Sequence, residues 1–245
     1  MNLKRYLTLG AASILLIGSF FLPNAAAGIT DSRWINNLEM IDSQSISFEA
    51  TPDLGLPDKI ALIANSGTET MPLSTGNIMD EEIAGNRAIL ELTRFFKGSS
   101  YSFEFRTCTV TECAAAFAID MATPSLNTII WELTLSDAQD NQAMLTIDDE
   151  TGVILKIIYR QAAKNQNSNA ANNASQASPS DLELRSGAMA LSRLMRDYYN
   201  MQITLGDYHY NGALSYYRAD LATTGKIIPM FGVVRVTGFT MNEKV

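Results

Sequence analysis

A helical repeat of apolar residues gives way to strand-like runs twice along the chain, and this order most restricts the fold. From Asp80 to Lys97, apolar side chains recur every three or four residues, as in an amphipathic helix. Residues 128–135 and 143–147 are apolar runs separated by a polar turn, which is typical of antiparallel strands. The same order returns after residue 180. The sequence therefore predicts an α+β protein, with an amphipathic helix packed on an antiparallel sheet in each half.

A stretch of small residues and side-chain amides divides the chain into two modules. Residues 165–180 read NQNSNAANNASQASPS, which offers too little apolar area to offset the entropy of ordering. We predict a low-complexity linker here, between a first module at 28–164 and a smaller second module at 181–245. Because the second module is near the lower size limit for independent folding, a surface loop inside one α+β body is the alternative.

The first 27 residues have the order of a secretory signal peptide. Lys4 and Arg5 precede an apolar run at 7–22, and three alanines end at Ala27. We predict cleavage after Ala27 and a secreted or extracytoplasmic location. An uncleaved signal anchor is the alternative, although the run is shorter than the ~20 residues that span a bilayer.

Charge excludes two classes of partner. Removing the signal segment leaves 16 of the 18 Lys and Arg residues against 26 Asp and Glu, a net charge of −10. Such a chain repels phosphate backbones and anionic lipid surfaces. We therefore expect no nucleic-acid partner and no membrane insertion after cleavage; the oligomeric state is open.

Several helix and strand ends carry local signals. Gly98 ends the first long helix, Ser180 and Glu183 form a capping box at the start of the second, and residues 57–64 predict a short Pro-led helix. Alternating aromatics at 101–105 predict a half-buried strand. In the second module, the Asn211-Gly212 turn after Tyr208–Tyr210 predicts a hairpin whose second strand is 214–218. A last strand is predicted at Val233–Phe239, and Pro229 is expected to end the strand before it or to mark that strand as an edge strand.

The strand pair at 128–147 is followed by a D-x-x-T-G turn. Asp148 can cap backbone amides, Thr151 can bond locally and Gly152 supplies positive φ. With Trp131 on the aromatic-led strand, residues 80–160 resemble PepSY-type domains, which occur in peptidase propeptides and in envelope proteins linked to spore germination. The resemblance implies a helix on a small antiparallel sheet, as in PepSY and cystatin-like folds, and it transfers no catalytic residues.

Acidic residues cluster at two neighbouring turns. Asp148, Asp149 and Glu150 follow one strand, and Asp137 and Asp140 lie in the preceding turn. Calcium accepts such oxygen ligands, but an EF-hand loop needs alternating acids, a central Gly and a distal Glu that are missing here. We expect solvated turn carboxylates, with a calcium site as the alternative, and we assign no metal and no cofactor.

The two cysteines, Cys108 and Cys113, stand five residues apart. In a straight strand they would lie roughly 17 Å apart, whereas a hairpin loop at 109–112 would set them opposite one another. For an exported chain we predict a disulfide, with free thiols as the alternative. Zinc is disfavoured because His209 is the only histidine.

Tyrosines are concentrated in the second module. Tyr208, Tyr210, Tyr216 and Tyr217 flank the predicted hairpin turn and form a candidate contact surface, since tyrosine combines apolar area with a hydroxyl. Strand alternation also predicts that half of them face the core.

No catalytic signature is present. The chain lacks a G-x-S-x-G elbow, an H-E-x-x-H helix, a phosphate-binding Gly loop and a dinucleotide fingerprint. We therefore expect a non-enzymatic protein that binds, inhibits or regulates an envelope or secreted protein. The alternatives are a secreted hydrolase that uses buried carboxylates and a calcium- or glycan-binding module.

Overall fold

One antiparallel sheet runs through both halves of the chain. The computed structural model describes residues 50, 54–99, 101, 103–162, 180–212, 214–235 and 237–243. Within these residues nine strands form a single sheet in the order β1-β2-β3-β4-β5-β9-β8-β7-β6, and three α-helices pack against it. The protein is therefore α+β, as the sequence predicts.

The elements follow one another in a simple order. The helices are α1 (Leu56–Ala64), α2 (Glu81–Phe95) and α3 (Asp181–Tyr199). The strands of the first half are β1 (Thr68–Leu73), β2 (Thr109–Asp120), β3 (Asn127–Ser136), β4 (Gln142–Asp148) and β5 (Ile154–Arg160). Those of the second half are β6 (Gln202–Tyr210), β7 (Ser215–Thr223), β8 (Lys226–Arg235) and β9 (Gly238–Met241).

The two halves have the same order, a helix followed by four strands, and they meet at one seam. β5 pairs with β9 in antiparallel register, with Tyr159 opposite Phe239. β9 also pairs with β8, so this four-residue strand joins the two halves of the sheet. All described residues belong to one compact unit at 49–245.

The helices lie on opposite faces of the sheet. The ring of Phe96, just after α2, lies 5.1 Å from that of Tyr159 on β5. Tyr159 pairs with Ala143 of β4, so Ala143 and, four residues further on, Ile147 lie on the face that α2 covers. Asp148 follows Ile147 on β4 and points to the other face, where it binds Lys59 of α1 at 2.8 Å. α2 and α3 therefore cover one face, and α1 covers part of the other.

An aromatic cluster fills the core beneath the ends of α2 and α3. Phe95 stacks on Phe239 at 6.2 Å and meets Tyr198 edge-on at 5.3 Å. Tyr101 lies 4.8 Å from the Phe239 ring. Because these rings come from both halves, one hydrophobic core spans the seam.

Tyrosine hydroxyls at the end of α3 bind the first residue of β5. The Ile154 N–H donates to the Tyr198 hydroxyl at 2.9 Å, and the Tyr199 hydroxyl donates to the Ile154 carbonyl at 2.7 Å. Tyr198 in turn donates to the buried Glu91 of α2 at 2.7 Å. Burial raises the pKa of both tyrosines, so both hydroxyls stay protonated and able to donate.

The local helix signals are confirmed. α2 begins after Asp80, whose side chain accepts the Ile83 N–H, and Gly98 has φ +80° just beyond the helix. Ser180 and Glu183 form the capping box of α3. The short Pro-led helix is present as α1, one residue longer than predicted.

Two strand predictions are wrong. Tyr101 and Phe103 are not in a strand, and Phe105–Thr107 is a short 3-10 helix. Their aromatic rings enter the core from an irregular segment, which produces the same alternation. The predicted last strand at Val233–Phe239 is divided, because residues 233–235 end β8 and residues 238 and 239 begin β9. Pro229 lies inside β8, opposite Asp220 of β7. The Phe231 carbonyl accepts the Glu243 N–H on the side of β8 away from β7, and the backbone of Pro229, two residues earlier, has the same orientation. The missing N–H therefore removes no ladder bond with β7.

Some sequence predictions fall outside the described residues. These are the signal peptide at 1–27 with its cleavage site and nearly all of the 165–180 linker, of which only Ser180 is described. Within the part of the chain that the structure describes, no helix has the length and apolar character needed to cross a membrane.

Candidate functional site

The D-x-x-T-G turn has the geometry that the sequence predicts. Asp148 accepts the Thr151 N–H at 3.0 Å and the Thr151 hydroxyl at 2.6 Å, and Gly152 has φ +73°. The other Asp148 oxygen binds Lys59 at 2.8 Å and Thr128 at 3.4 Å. All four lone-pair positions of this carboxylate are therefore used inside the fold.

Asp149 is saturated in the same way. One oxygen accepts the N–H groups of Asn77 and Ile78, both at 2.9 Å. The other accepts the Met79 N–H at 3.1 Å and the Trp131 indole N–H at 2.8 Å. Only 3% of Asp149 is exposed. This carboxylate fixes the loop that leads into α2.

The expectation of solvated carboxylates is wrong for three of the five acids. Asp148, Asp149 and Asp137 are buried, whereas Asp140 and Glu150 are exposed. Within the described residues no group of three or more Asp, Glu, His or Cys side chains is placed to hold a metal ion. The buried carboxylates of these turns instead hold neighbouring segments of the chain in place.

Lys59 stays charged although it is buried. Burial by itself lowers its pKa, but the hydrogen bonds and charges of Asp148 and Glu150 outweigh that effect and raise the pKa. For the Asp137 carboxyl, burial by itself raises the pKa. Hydrogen bonds from the Glu104 N–H and from Asn141 stabilise the carboxylate and outweigh burial, so the pKa of Asp137 is lowered. Both groups are therefore ionised at neutral pH and serve structure.

The hairpin loop expected between the cysteines is absent. Thr109–Asp120 is the continuous strand β2, with a bulge between Val110 and Glu112, so the geometry that would bring the cysteines together is not formed. Cys108 and Cys113 are free thiols in this structure, and the disulfide prediction is not met. The strand extends through the segment between the cysteines because residues 133–136 of β3 pair with it.

Both thiols are protected from ionisation. Burial raises the pKa of Cys108 to about 11, and the Asp137 carboxylate adds to that rise. Burial raises the pKa of Cys113 to about 11 as well, with the Glu81 carboxylate adding to it. Neither cysteine has the electropositive surroundings of a reactive thiol.

We expect iodoacetamide to alkylate both cysteines at pH 8 about a hundredfold more slowly than it alkylates cysteine in a short peptide, because the thiolate is the reacting form. Mass spectrometry of timed samples measures the rate, and the same reaction in 8 M urea, where both should react at the peptide rate, is the control. Rapid alkylation of the folded protein, or a mass two daltons lower that reveals a disulfide, would contradict the expectation.

The four tyrosines of the candidate contact surface do not form one surface. Tyr208 and Tyr217 are opposite one another on β6 and β7, on the face that α3 covers, and Tyr217 is only 3% exposed. Tyr210 shares that face and donates to the Gly212 carbonyl. Tyr216 is 50% exposed on the opposite face, beside the exposed His209. Strand alternation therefore places three of the four tyrosines on the α3 face and the fourth on the opposite face.

A cleft of about 480 Å³ lies between α2 and β2. Glu81 and Glu82 of α2 line it, together with Cys113, whose thiol donates to the Glu81 carbonyl at 3.7 Å. Glu112 also borders the cleft, but its carboxylate accepts the Thr134 hydroxyl at 2.9 Å on the other face of the sheet. The sequence did not reveal this juxtaposition, since the helix and the strand meet only in the fold.

A second concave region lies on the sheet face opposite α2. Thr134, Met144 and Ile158 are in register across β3, β4 and β5, and a parallel row contains Glu132, Thr146 and Lys156. We call these six residues the open face. With Glu112 they line a depression of about 540 Å³.

The open face has an apolar centre and a charged rim. Met144 is 42% exposed, Ile158 is half-buried, and Glu132 and Lys156 flank them. On an antiparallel sheet whose other face packs on a helix, the outward face normally carries polar side chains. Sequence reasoning missed this region, although Met144 and Ile158 at solvent-side positions of neighbouring strands were its available signal.

Comparison with known proteins adds no assignment. No protein-family model matches the chain, and no curated protein or solved structure matches it significantly.

Proposed function

We propose that this protein is a non-enzymatic binding module of the extracytoplasmic space that restrains or regulates an envelope or secreted protein through its open face. The observation that carries the proposal is an apolar pair, the exposed Met144 and the half-buried Ile158, at the centre of a concave sheet surface. An apolar centre within a polar rim is the usual anatomy of a protein-binding surface.

The chemistry of the acidic turn also supports a binding role. The carboxylates of Asp148 and Asp149 have every acceptor position used by backbone, indole, hydroxyl or ammonium groups. A carboxylate held in this way has no capacity left for a substrate or a metal. Its effect is to hold the β4–β5 turn against α1 and against the loop before α2.

The PepSY-type assignment of residues 80–160 is part of this proposal. Its support is the order of α2, β3, β4 and β5 and the turn geometry at Asp148, Thr151 and Gly152. The additional strand β2 between the helix and the aromatic-led strand is a departure from that pattern, as is the joining of the sheet to the second half through β9.

Position-specific crosslinking tests the proposal. We expect a photo-reactive phenylalanine analogue at Met144 to form a discrete adduct with one envelope or secreted protein in cells. The same analogue at Leu90, which is 57% exposed on α2, should not form it. Ile158→Thr, which keeps a β-branched side chain in β5, should weaken the adduct about fivefold, the usual effect of truncating a central contact. Equal adducts at both positions, or none at Met144, would refute the open face as a binding surface.

The hydrolase alternative has one favourable observation, the acid-lined cleft between α2 and β2. Glycoside hydrolysis needs two carboxyl groups about 5 to 10 Å apart, and Glu81 and Glu82 would be the candidates, because the Glu112 carboxylate is bound to the Thr134 hydroxyl on the other face of the sheet. The double variant Glu81→Gln, Glu82→Gln separates the two functions, because neither residue lines the open face. Loss of cellular function in this variant with the Met144 adduct intact would favour the hydrolase.

A further inference from the structure

The charges on the open face are separated by sign. Glu132 of β3 and Lys156 of β5 lie in register on either side of Thr146 of β4. Two strand spacings separate them, about 10 Å. Neither side chain is in an ion pair with another described residue. Glu112 of β2 adds a second acid on the β3 side, and Arg160 adds a second cation on this face of β5. A complementary partner therefore carries a cation and an anion about 10 Å apart.

The spacing of these charges matches a helix. Residues i and i+7 of an α-helix lie on one side about 10.5 Å apart, and residues i+3 and i+4 lie between them on the same side. In an extended segment, residues about 10 Å apart are i and i+3, which point to opposite sides. Of these two forms, only the helix presents both charges and an apolar pair between them to one surface.

The chain already places one helix on this face of the sheet. α1 lies across the strands and contacts β8, β5, β3, β2 and β1. Its Asp58 binds Lys226 of β8 at 2.7 Å and its Lys59 binds Asp148 of β4 at 2.8 Å, while its isoleucines are buried. α1 is thus held by an acid, a base and apolar side chains. Thr146 is the next position on this face of β4, so a helix over the open face would pack beside α1 at about 8 to 10 Å.

We propose that the open face binds an amphipathic helix of the partner protein, laid across β3, β4 and β5 beside α1. The helix has an acidic residue over Lys156, apolar residues three and four positions later over Met144 and Ile158, and a basic residue seven positions later over Glu132. Acid before base is the order that the helix dipole favours. This inference rests on the proposed function, because it names the element of the partner that is recognised. The apolar contacts supply affinity, and the two ion pairs fix the position of the helix.

The test uses the purified protein and the capped peptide AAEQALLXAKQXAA, in which X marks the two ends of a hydrocarbon staple on the far side of the helix. The staple is needed because a free peptide of this length is only marginally helical. Two matched peptides carry Glu at both charged positions or Lys at both. We expect NMR titration to shift backbone amides at 132–134, 144–146 and 156–158. The mixed peptide should bind about fivefold more tightly than either matched peptide, because each of these replaces one ion pair by a repulsion.

Charge reversal in the protein tests the same contacts from the other side. With Glu132→Lys the peptide with two Glu should bind best, and with Lys156→Glu the peptide with two Lys should bind best. Asp197→Lys changes the net charge as much as Glu132→Lys does, but it lies on α3, away from the open face, and should keep the preference of the parent protein.

Defined outcomes would overturn the inference. Equal binding of the three peptides, shifts confined to other residues, or the same change of preference in Asp197→Lys as in Glu132→Lys would refute the helix site. A second measurement maps the partner residues that crosslink at Met144. A segment without an acid and a base seven positions apart refutes the helix and leaves the proposed function intact, whereas a segment with that spacing supports it even when no stapled peptide binds. Selective peptide binding without any adduct in cells would support the helix site and refute the envelope or secreted partner.

Discussion

Replacing Asp149 by Ala should lower the free energy of unfolding by about 3 to 5 kcal/mol. The substitution removes the acceptor of three loop N–H groups and of the buried Trp131 indole. Each buried donor left without a partner carries its full desolvation cost, and the loop that leads into α2 loses its attachment to the β4–β5 turn. Urea denaturation followed by tryptophan fluorescence measures the change.

Two neighbouring variants calibrate this result. Asp149→Asn keeps one acceptor oxygen and should cost less than Asp149→Ala. Glu150→Gln changes the adjacent residue, whose side chain is 63% exposed in its ion pair with Lys59, and should stay within about 1 kcal/mol of the parent protein. An Asp149→Ala protein as stable as Glu150→Gln would show that the loop does not depend on this carboxylate.

Gly238→Ala should be comparably destabilising, by about 3 to 5 kcal/mol. Gly238 has φ +153°, and a Cβ at this position would overlap the Tyr159 carbonyl oxygen and lie 3.1 Å from the Arg160 Cα. Both neighbours are backbone of β5, so they cannot move aside without disturbing the pairing of β5 with β9. Thermal and urea unfolding measure the loss.

The control for Gly238 is another glycine with positive φ. Gly225 has φ +81° in the β7–β8 turn, and an added Cβ there would meet no atom within 4 Å. Gly225→Ala should therefore cost only the conformational strain of about 1 kcal/mol. Equal losses for the two variants would mean that the crowding at β5 contributes nothing.

The sequence correctly predicted those elements that are specified by residues close together in the chain. The capping box at Ser180 and the turn at Asp148 are formed by residues three or four positions apart, so spacing alone specifies them. The burial of Asp148 was not predictable in this way, because Lys59 lies 89 residues away in the chain. A carboxylate in a turn is solvated unless another element folds over it.

The failures have the same origin. The aromatics from Tyr101 to Phe105 alternate as in a strand, but strand formation also needs a neighbouring backbone to pair with. The segment between Cys108 and Cys113 is compatible with a loop or a strand, and its pairing with residues 133–136 of β3 decides for the strand. The open face depends on which side of the sheet α2 covers, which periodicity does not specify.

The position of β9 has a consequence for the order of folding. Without residues 238–241 the described strands form two separate sheets, β1 to β5 and β6 to β8, because no described strand other than β9 pairs with both β5 and β8. The strand that comes last along the described chain therefore joins the two parts of the sheet. Its pairing with β5 brings together residues that are far apart in the sequence. Such contacts slow folding, so the late step in refolding is expected to be the union of two preformed halves rather than the growth of one sheet from an edge.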